Sequence, residues 1–179
     1  MMSDAIYDFP KQFTYKPEVL GGKLRAYKKF VLLGMGGSHL AADLALLARP
    51  ELPLTVHMDY GLPARAKADC KDTLVIASSY SGNTEEVIDG MKEAKKNKLP
   101  LVAIAVGGEV IARAKKNRIP YIELPNTRIQ PRSALGFSLL AILKVIGDEA
   151  SLRLASRLAT SLRPKELLSQ GNALAARLK

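Results

Sequence analysis

The stretch Phe30-Val-Leu-Leu-Gly-Met-Gly-Gly-Ser-His-Leu-Ala-Ala-Asp-Leu-Ala-Leu-Leu-Ala48 decides the fold class. Phe30 to Leu33 is apolar without a break and stops at Gly34, the pattern of a strand whose sheet is covered on both faces. From Ser38 to Ala48, Leu40, Ala41, Leu44, Ala45 and Leu47 recur at helical spacing. A buried strand that turns through glycines directly into a helix opens a parallel βαβ unit.

The same plan repeats along the chain. Leu54 to Met58 reads as a second strand ended by Asp59, Gly61 and Pro63. Thr73 to Ala77 is a third, followed by the polar turn Ser78 to Asn83 and a helix over 84–97 with Val87, Ile88, Met91 and Ala94 on one face. Leu101 to Val106 and Ile119 to Leu124 are strands four and five, with a short helix from Glu109 to Lys116 between them. An apolar helix is expected from Arg132 to Ile146, and a short one near the N-terminus from Pro17 to Tyr27. Strands alternating with helices predict an α/β fold, a doubly wound five-stranded parallel sheet. No repeat of solenoid period is present.

The tail reads as two C-terminal helices, Ser151 to Leu162 and Lys165 to Leu178, split by Pro164. The expected division is residues 1–150 as the α/β domain and 151–179 as a helical extension. Leu167, Gly171, Leu174 and Leu178 form a heptad-like seam, which either packs back on the domain or meets another chain.

Composition narrows the function classes. The 179 residues suit one domain, and 47% hydrophobic with 25% charged is the balance of a globular protein. No apolar run is long enough for a membrane span, and MMSDAIYDF lacks the pattern of a signal peptide. Cys70 is the one cysteine, which excludes an internal disulfide and fits a cytoplasmic location. With two histidines, His39 and His57, neither a cysteine nor a histidine metal cluster is expected.

The net charge of +10 gathers at Lys92 to Lys98 and Arg113 to Arg118, at helix ends where cations complement the dipole. An anionic ligand is the other reading. Nucleic acid is disfavoured, because six Tyr, four Phe and no Trp leave few stacking platforms.

Ligands of open parallel sheets bind beyond the carboxyl ends of the strands, where three loops of this chain fall. In the first, Gly34-Met-Gly-Gly-Ser38, glycines let backbone approach a ligand at a helix start. His39 stands where a dinucleotide fingerprint needs glycine. The second, Ser78-Ser-Tyr-Ser-Gly-Asn-Thr84, crowds hydroxyls that can donate to phosphate oxygens at another helix start. Asn83 with Glu86 also has the form of a capping box, which accounts for one polar group and not four. The third, Asn126 to Arg132, sets Arg132 in the first turn of an apolar helix, against the dipole. There it can balance charge on a substrate oxygen.

Gly34 to Ser38, Asp59-Tyr60 with Pro63, Ser79 to Glu86, and Gln130-Pro131-Arg132 with Ala134-Leu135-Gly136-Phe137 occur in the order seen in one family. Across residues 30–146 the chain resembles the bifunctional phosphoglucose/phosphomannose isomerases, within the wider sugar-isomerase (SIS) group, and its tail is similar to that family's linker helices. The resemblance implies a flavodoxin-like SIS fold and an aldose–ketose isomerisation between glucose or mannose 6-phosphate and fructose 6-phosphate. It implies that Ser38, Ser79, Ser81 and Thr84 hold the phosphate and sugar, that Gly36 and Gly37 shape the pocket, and that Arg132 steadies an enediolate. The chemistry needs no metal or organic cofactor.

The family's glutamate, histidine and lysine resemble features of a second SIS domain, which would begin where this chain stops at Lys179. Glu85, Glu86 and Glu109 lie near the predicted edge without one being marked as the base. His39 replaces a small residue of the family and reads either as a packed helix residue or as an acid–base group. Three functions follow. One is an isomerase half-site completed by an identical or different chain. Another is a regulatory module that only binds a phosphorylated hexose. The third is a self-sufficient oligomer similar to single-domain hexulose-phosphate isomerases.

Overall fold

A computed structural model describes residues 2–64, 66 and 71–178, so Cys70 and Lys179 lie outside the described residues. The five strands are β1 (Lys29–Leu33), β2 (Leu54–His57), β3 (Thr73–Ser78), β4 (Leu101–Ala105) and β5 (Tyr121–Glu123). They pair in the order β2-β1-β3-β4-β5, every pair parallel. β1 pairs with both β2 and β3, so the sheet changes its direction of growth between β1 and β3. A crevice opens at such a switch point, and the first two loops follow the two strands that form it.

Alternate residues of each strand feed opposite faces. Phe30, Leu32, Leu74, Ile76, Val102 and Ile104 pack with Ala41 and Ala42 of α2 (Leu40–Ala48) and Phe137, Ala141 and Ile142 of α5 (Leu135–Ile146). Val31, Leu33, Val75, Ala77 and Ala103 pack on the other side. Their partners there are Val87, Met91 and Ala94 of α3 (Glu85–Lys96) and Val110, Ile111 and Ala114 of α4 (Gly108–Lys116). All six residues of β3 are buried, which is why its sequence runs apolar without alternation.

Two expectations are corrected, and two N-terminal elements are added. Residues 17–27 are not helical, as Pro17 and the pair Gly21-Gly22 foreshadow. Leu20 instead exchanges backbone hydrogen bonds of 2.8 and 2.9 Å with Tyr121, satisfying the free edge of β5. Nearer the N-terminus come α1 (Met2–Tyr7) and a 3-10 turn, Phe9–Thr14, which the sequence reading missed. Arg132 precedes the apolar helix rather than sitting in its first turn: Pro131–Ser133 form a separate 3-10 turn.

The tail divides into two parts. α6 (Glu149–Ser156) and α7 (Leu158–Ser161) place Leu152, Ala155, Leu158 and Leu162 against Phe13, Leu140 and Leu143. α8 (Leu168–Arg177) does not bury the seam: Leu174 is 55% and Leu178 79% exposed. Of the two readings of that seam, packing back on the domain is therefore overturned. No helix among the described residues is long and apolar enough to cross a membrane.

Candidate functional site

The structure ties the first two loops together through Ser38. Its Oγ accepts the Tyr80 N–H at 3.0 Å, and its carbonyl accepts the Ser78 hydroxyl at 3.1 Å. Ser38 is buried and Ser79 completely so. Ser79 Oγ lies 2.7 Å from Thr84 Oγ1 and accepts the Gly82 N–H at 3.1 Å, so these groups share one turn. The Ser81 side chain is exposed, and its Oγ accepts the Asn83 N–H at 3.3 Å. Gly82 is required here: its φ is +77°, and a Cβ would stand 1.9 Å from the Gly107 carbonyl oxygen.

The capping reading of Asn83 is corrected. α3 begins after Thr84 with no side-chain cap, whereas Asn83 Oδ1 accepts the Glu109 N–H at 3.1 Å and caps α4. Asn83 is carried onto α4 because Gly82 packs against Gly107 and Gly108, with its carbonyl accepting the Val110 N–H at 2.9 Å. The start of α3 therefore presents first-turn N–H groups without a side-chain cap beside Ser79, Ser81 and Thr84. Unpaired N–H groups at a helix start with hydroxyls beside them suit an anion.

The third loop closes on the first through backbone. A Cβ on Gly37 would come within 2.5 Å of Arg132 N, so only glycine lets the two turns touch. The Arg132 side chain is exposed and makes no ion pair or hydrogen bond with a described residue. It borders a cavity of about 660 Å³ between Asp4, Asp8 and Lys11 on one side and Arg128 and Gln130 on the other. Ser38, Ser79, Ser81 and Thr84 do not line that cavity. The structure thus joins Gly37 to Arg132 and Ser38 to Tyr80, while the cavity beside the guanidinium does not include the hydroxyls.

Sequence reasoning missed Gln12. Buried in the N-terminal 3-10 turn, it donates through Nε2 to Ser133 O at 2.6 Å and accepts the Gly136 N–H at 3.0 Å. It caps α5 and braces the turn that carries Arg132. No local signal marks it, because its partners lie more than 120 residues away. Tyr80 was also missed: its ring is buried and its hydroxyl has no partner among the described residues.

Two of the three acidic candidates, Glu85 and Glu109, are engaged elsewhere. Tyr60 donates to Glu85 at 3.4 Å, and Glu109 pairs with Arg113 at 2.7 Å. Lost hydration, with the Glu86 and Glu85 carboxylates, pushes the Tyr60 phenol above its ordinary range. His39 is mostly buried, with Nδ1 2.6 Å from Asp43 Oδ2 one helical turn on, leaving Nε2 as its second ring nitrogen.

Residues 23–146 match the family described as the SIS domain. The chain belongs to the SIS-domain family. Among curated relatives of this SIS domain, the bifunctional phosphoglucose/phosphomannose isomerase of Caldicellulosiruptor bescii is 37% identical over 150 residues, covering 79% of this chain and 43% of that protein. The enzyme of the same name from Pyrobaculum aerophilum is 36% identical over 143 residues, covering 78% and 43%. The SIS domain thus spans less than half the length of these relatives. A solved Thermus thermophilus protein superposes with a TM-score of 0.61 at 24% identity, over 98% of this chain and 46% of that one. The NanR protein of Vibrio vulnificus, complexed with ManNAc-6P, superposes at 0.51 with 14% identity, over 87% and 59%. Both likenesses bear out the five-stranded α/β fold.

Proposed function

We propose that this SIS domain is the phosphosugar-holding half of an aldose–ketose isomerase acting between glucose or mannose 6-phosphate and fructose 6-phosphate. The observation that carries the reading is the side-chain-uncapped start of α3, set among Ser79, Ser81 and Thr84 at the β1/β3 switch point. These hydroxyls and N–H groups hold the phosphate, Ser38 and the Gly36-Gly37 turn shape its wall, and Arg132 faces the reacting end of the sugar. A base removes the C2 proton of the open-chain aldose, negative charge spreads over the enediolate oxygens as the hydroxyl proton passes from O2 to O1, and the base returns its proton at C1. Arg132 balances that charge while it exists. Closing from the substrate side brings the guanidinium and the hydroxyls onto one ligand.

The base comes from a second SIS domain on an identical or different chain, as the resemblance implies, and two of the three acidic candidates here, Glu85 and Glu109, are already engaged. In this reading residues 1–150 form the SIS body, 151–179 are its helical extension with the exposed α8 reaching the partner, and the pair works in the cytoplasm. A binding-only module is the second reading, favoured by the same engaged carboxylates. His39, whose Nε2 is available, is the in-chain acid–base candidate if the chain proves active alone.

The test is a coupled assay converting fructose 6-phosphate to glucose 6-phosphate, with ligand-induced melting alongside. The half-site reading expects stabilisation by both hexose phosphates and turnover only with a partner domain. Stabilisation with no turnover under any pairing would favour the binding module. No stabilisation would overturn both.

A further inference from the structure

At the opposite edge of the sheet, a seven-residue segment occurs twice: Ala94-Lys-Lys-Asn-Lys-Leu-Pro100 and Ala114-Lys-Lys-Asn-Arg-Ile-Pro120. The two copies end α3 and α4 in the same way. Asn97 and Asn117 each donate through Nδ2 to a carbonyl one turn back at 2.8 Å. Lys98 and Arg118 take the left-handed conformation, φ +55° and +54°. Leu99 and Ile119 N–H groups close onto Ala94 and Ala114 carbonyls, each at 2.9 Å. The two helices stand side by side with a groove of about 440 Å³ between them.

Four cations line that groove, Lys92 and Lys95 from α3 and Arg113 and Lys116 from α4. Each helix contributes its two at i, i+3 on one face, a like-charge spacing that is unfavourable unless something offsets it. Glu109, also in the groove, offsets Arg113 at 2.7 Å. Lys95 spends its hydrogen bond on the neutral Asn117 Oδ1, while Lys92 and Lys116 make no ion pair with a described residue. Complementing a helix dipole calls for cations in the last turn, and Lys92 stands a turn earlier than that. The groove thus holds a net surplus of three positive charges. One phosphomonoester, at about −1.5 to −2, would leave it positive.

We propose that the α3–α4 groove is a second anion site, distinct from the hydroxyl loops, for a small compound carrying several linked phosphates. Lys92, Lys95 and Lys116 are its charge-bearing walls and Met91 and Ile119 part of its apolar lining. Such a ligand neutralises the like charges on both helices at once.

Tripolyphosphate titrated into the full chain by calorimetry at constant ionic strength tests this, with and without saturating fructose 6-phosphate. One saturable event per chain is expected, unchanged by the sugar phosphate. The double variant Lys92→Gln/Lys116→Gln should lower its affinity at least tenfold, and Lys98→Gln/Arg118→Gln, equally basic positions outside the groove, should leave it within twofold. No saturable event would overturn the proposal. So would competition by fructose 6-phosphate, which would assign the event to the serine loops, or an equal loss in both double variants, which would mean diffuse surface attraction. Binding of a single-stranded RNA oligonucleotide where tripolyphosphate fails would replace the proposal with a nucleic-acid surface.

Discussion

The serine loops and the arginine loop sit at the same edge of one sheet and are held in opposite ways. Ser38 and Ser79 are buried and bonded to neighbouring backbone, so their hydroxyls are placed before any ligand arrives. The backbone of Arg132 is braced from below by Gln12 and pressed on by Gly37, yet its guanidinium stands in an open cavity with no protein partner among the described residues. Preorganised groups lose little freedom on binding, which suits a phosphate present throughout the reaction. A long exposed cation suits charge that appears only as the reaction proceeds. One region shows strong coupling between sequence and stability, and the other should show almost none.

Substitutions can break that contrast, and the largest effect is expected at Gly82. Gly82→Ala must abandon φ +77° or push Gly107 away, and should cost about 2–4 kcal/mol in denaturant unfolding. Gly37→Ala, which joins the two regions, should cost about 1–3 kcal/mol and weaken phosphosugar binding by parting the first loop from the Arg132 turn. Ser38→Ala leaves the Tyr80 N–H without its acceptor in a buried site, for about 1–2 kcal/mol by the same unfolding measurement. Arg132→Ala should change stability by less than about 0.5 kcal/mol. In an assembled enzyme it should nonetheless lower kcat by about a hundredfold while changing hexose-phosphate affinity far less. A large stability loss at Arg132, or none at Ser38, would show that the two regions are not built differently.

Much of this was legible in the sequence wherever burial is local and continuous. The runs Phe30 to Leu33, Thr73 to Ala77 and Leu101 to Val106 could only be covered strands, and they placed two serine- and glycine-bearing loops at the switch point. What was not legible depends on contacts made across the chain. Leu20 is extended because β5 has a free edge, a fact absent from residues 17–27 themselves. Asn83 has the spacing of a cap for α3, but tight packing of Gly82 on Gly107 delivers it to α4 instead. Arg132 was read into a continuous helix because Pro131 is compatible with a first turn, and Ala134, at φ −92° and ψ 20°, divides the two. The twin basic turns were visible as letters, but only the fold shows that they stand side by side.

The central claim, that the serine turn before α3 holds the phosphate of a hexose phosphate, is tested most directly by calorimetric titration of fructose 6-phosphate into the chain and into Ser81→Ala. Ser81 is exposed, so the variant should fold unchanged, and losing one hydrogen bond to a charged phosphate should weaken binding about tenfold or more. Fructose without phosphate should not bind either protein. Equal affinity for wild type and Ser81→Ala, or binding of unphosphorylated fructose as tight as that of its phosphate, would contradict the account.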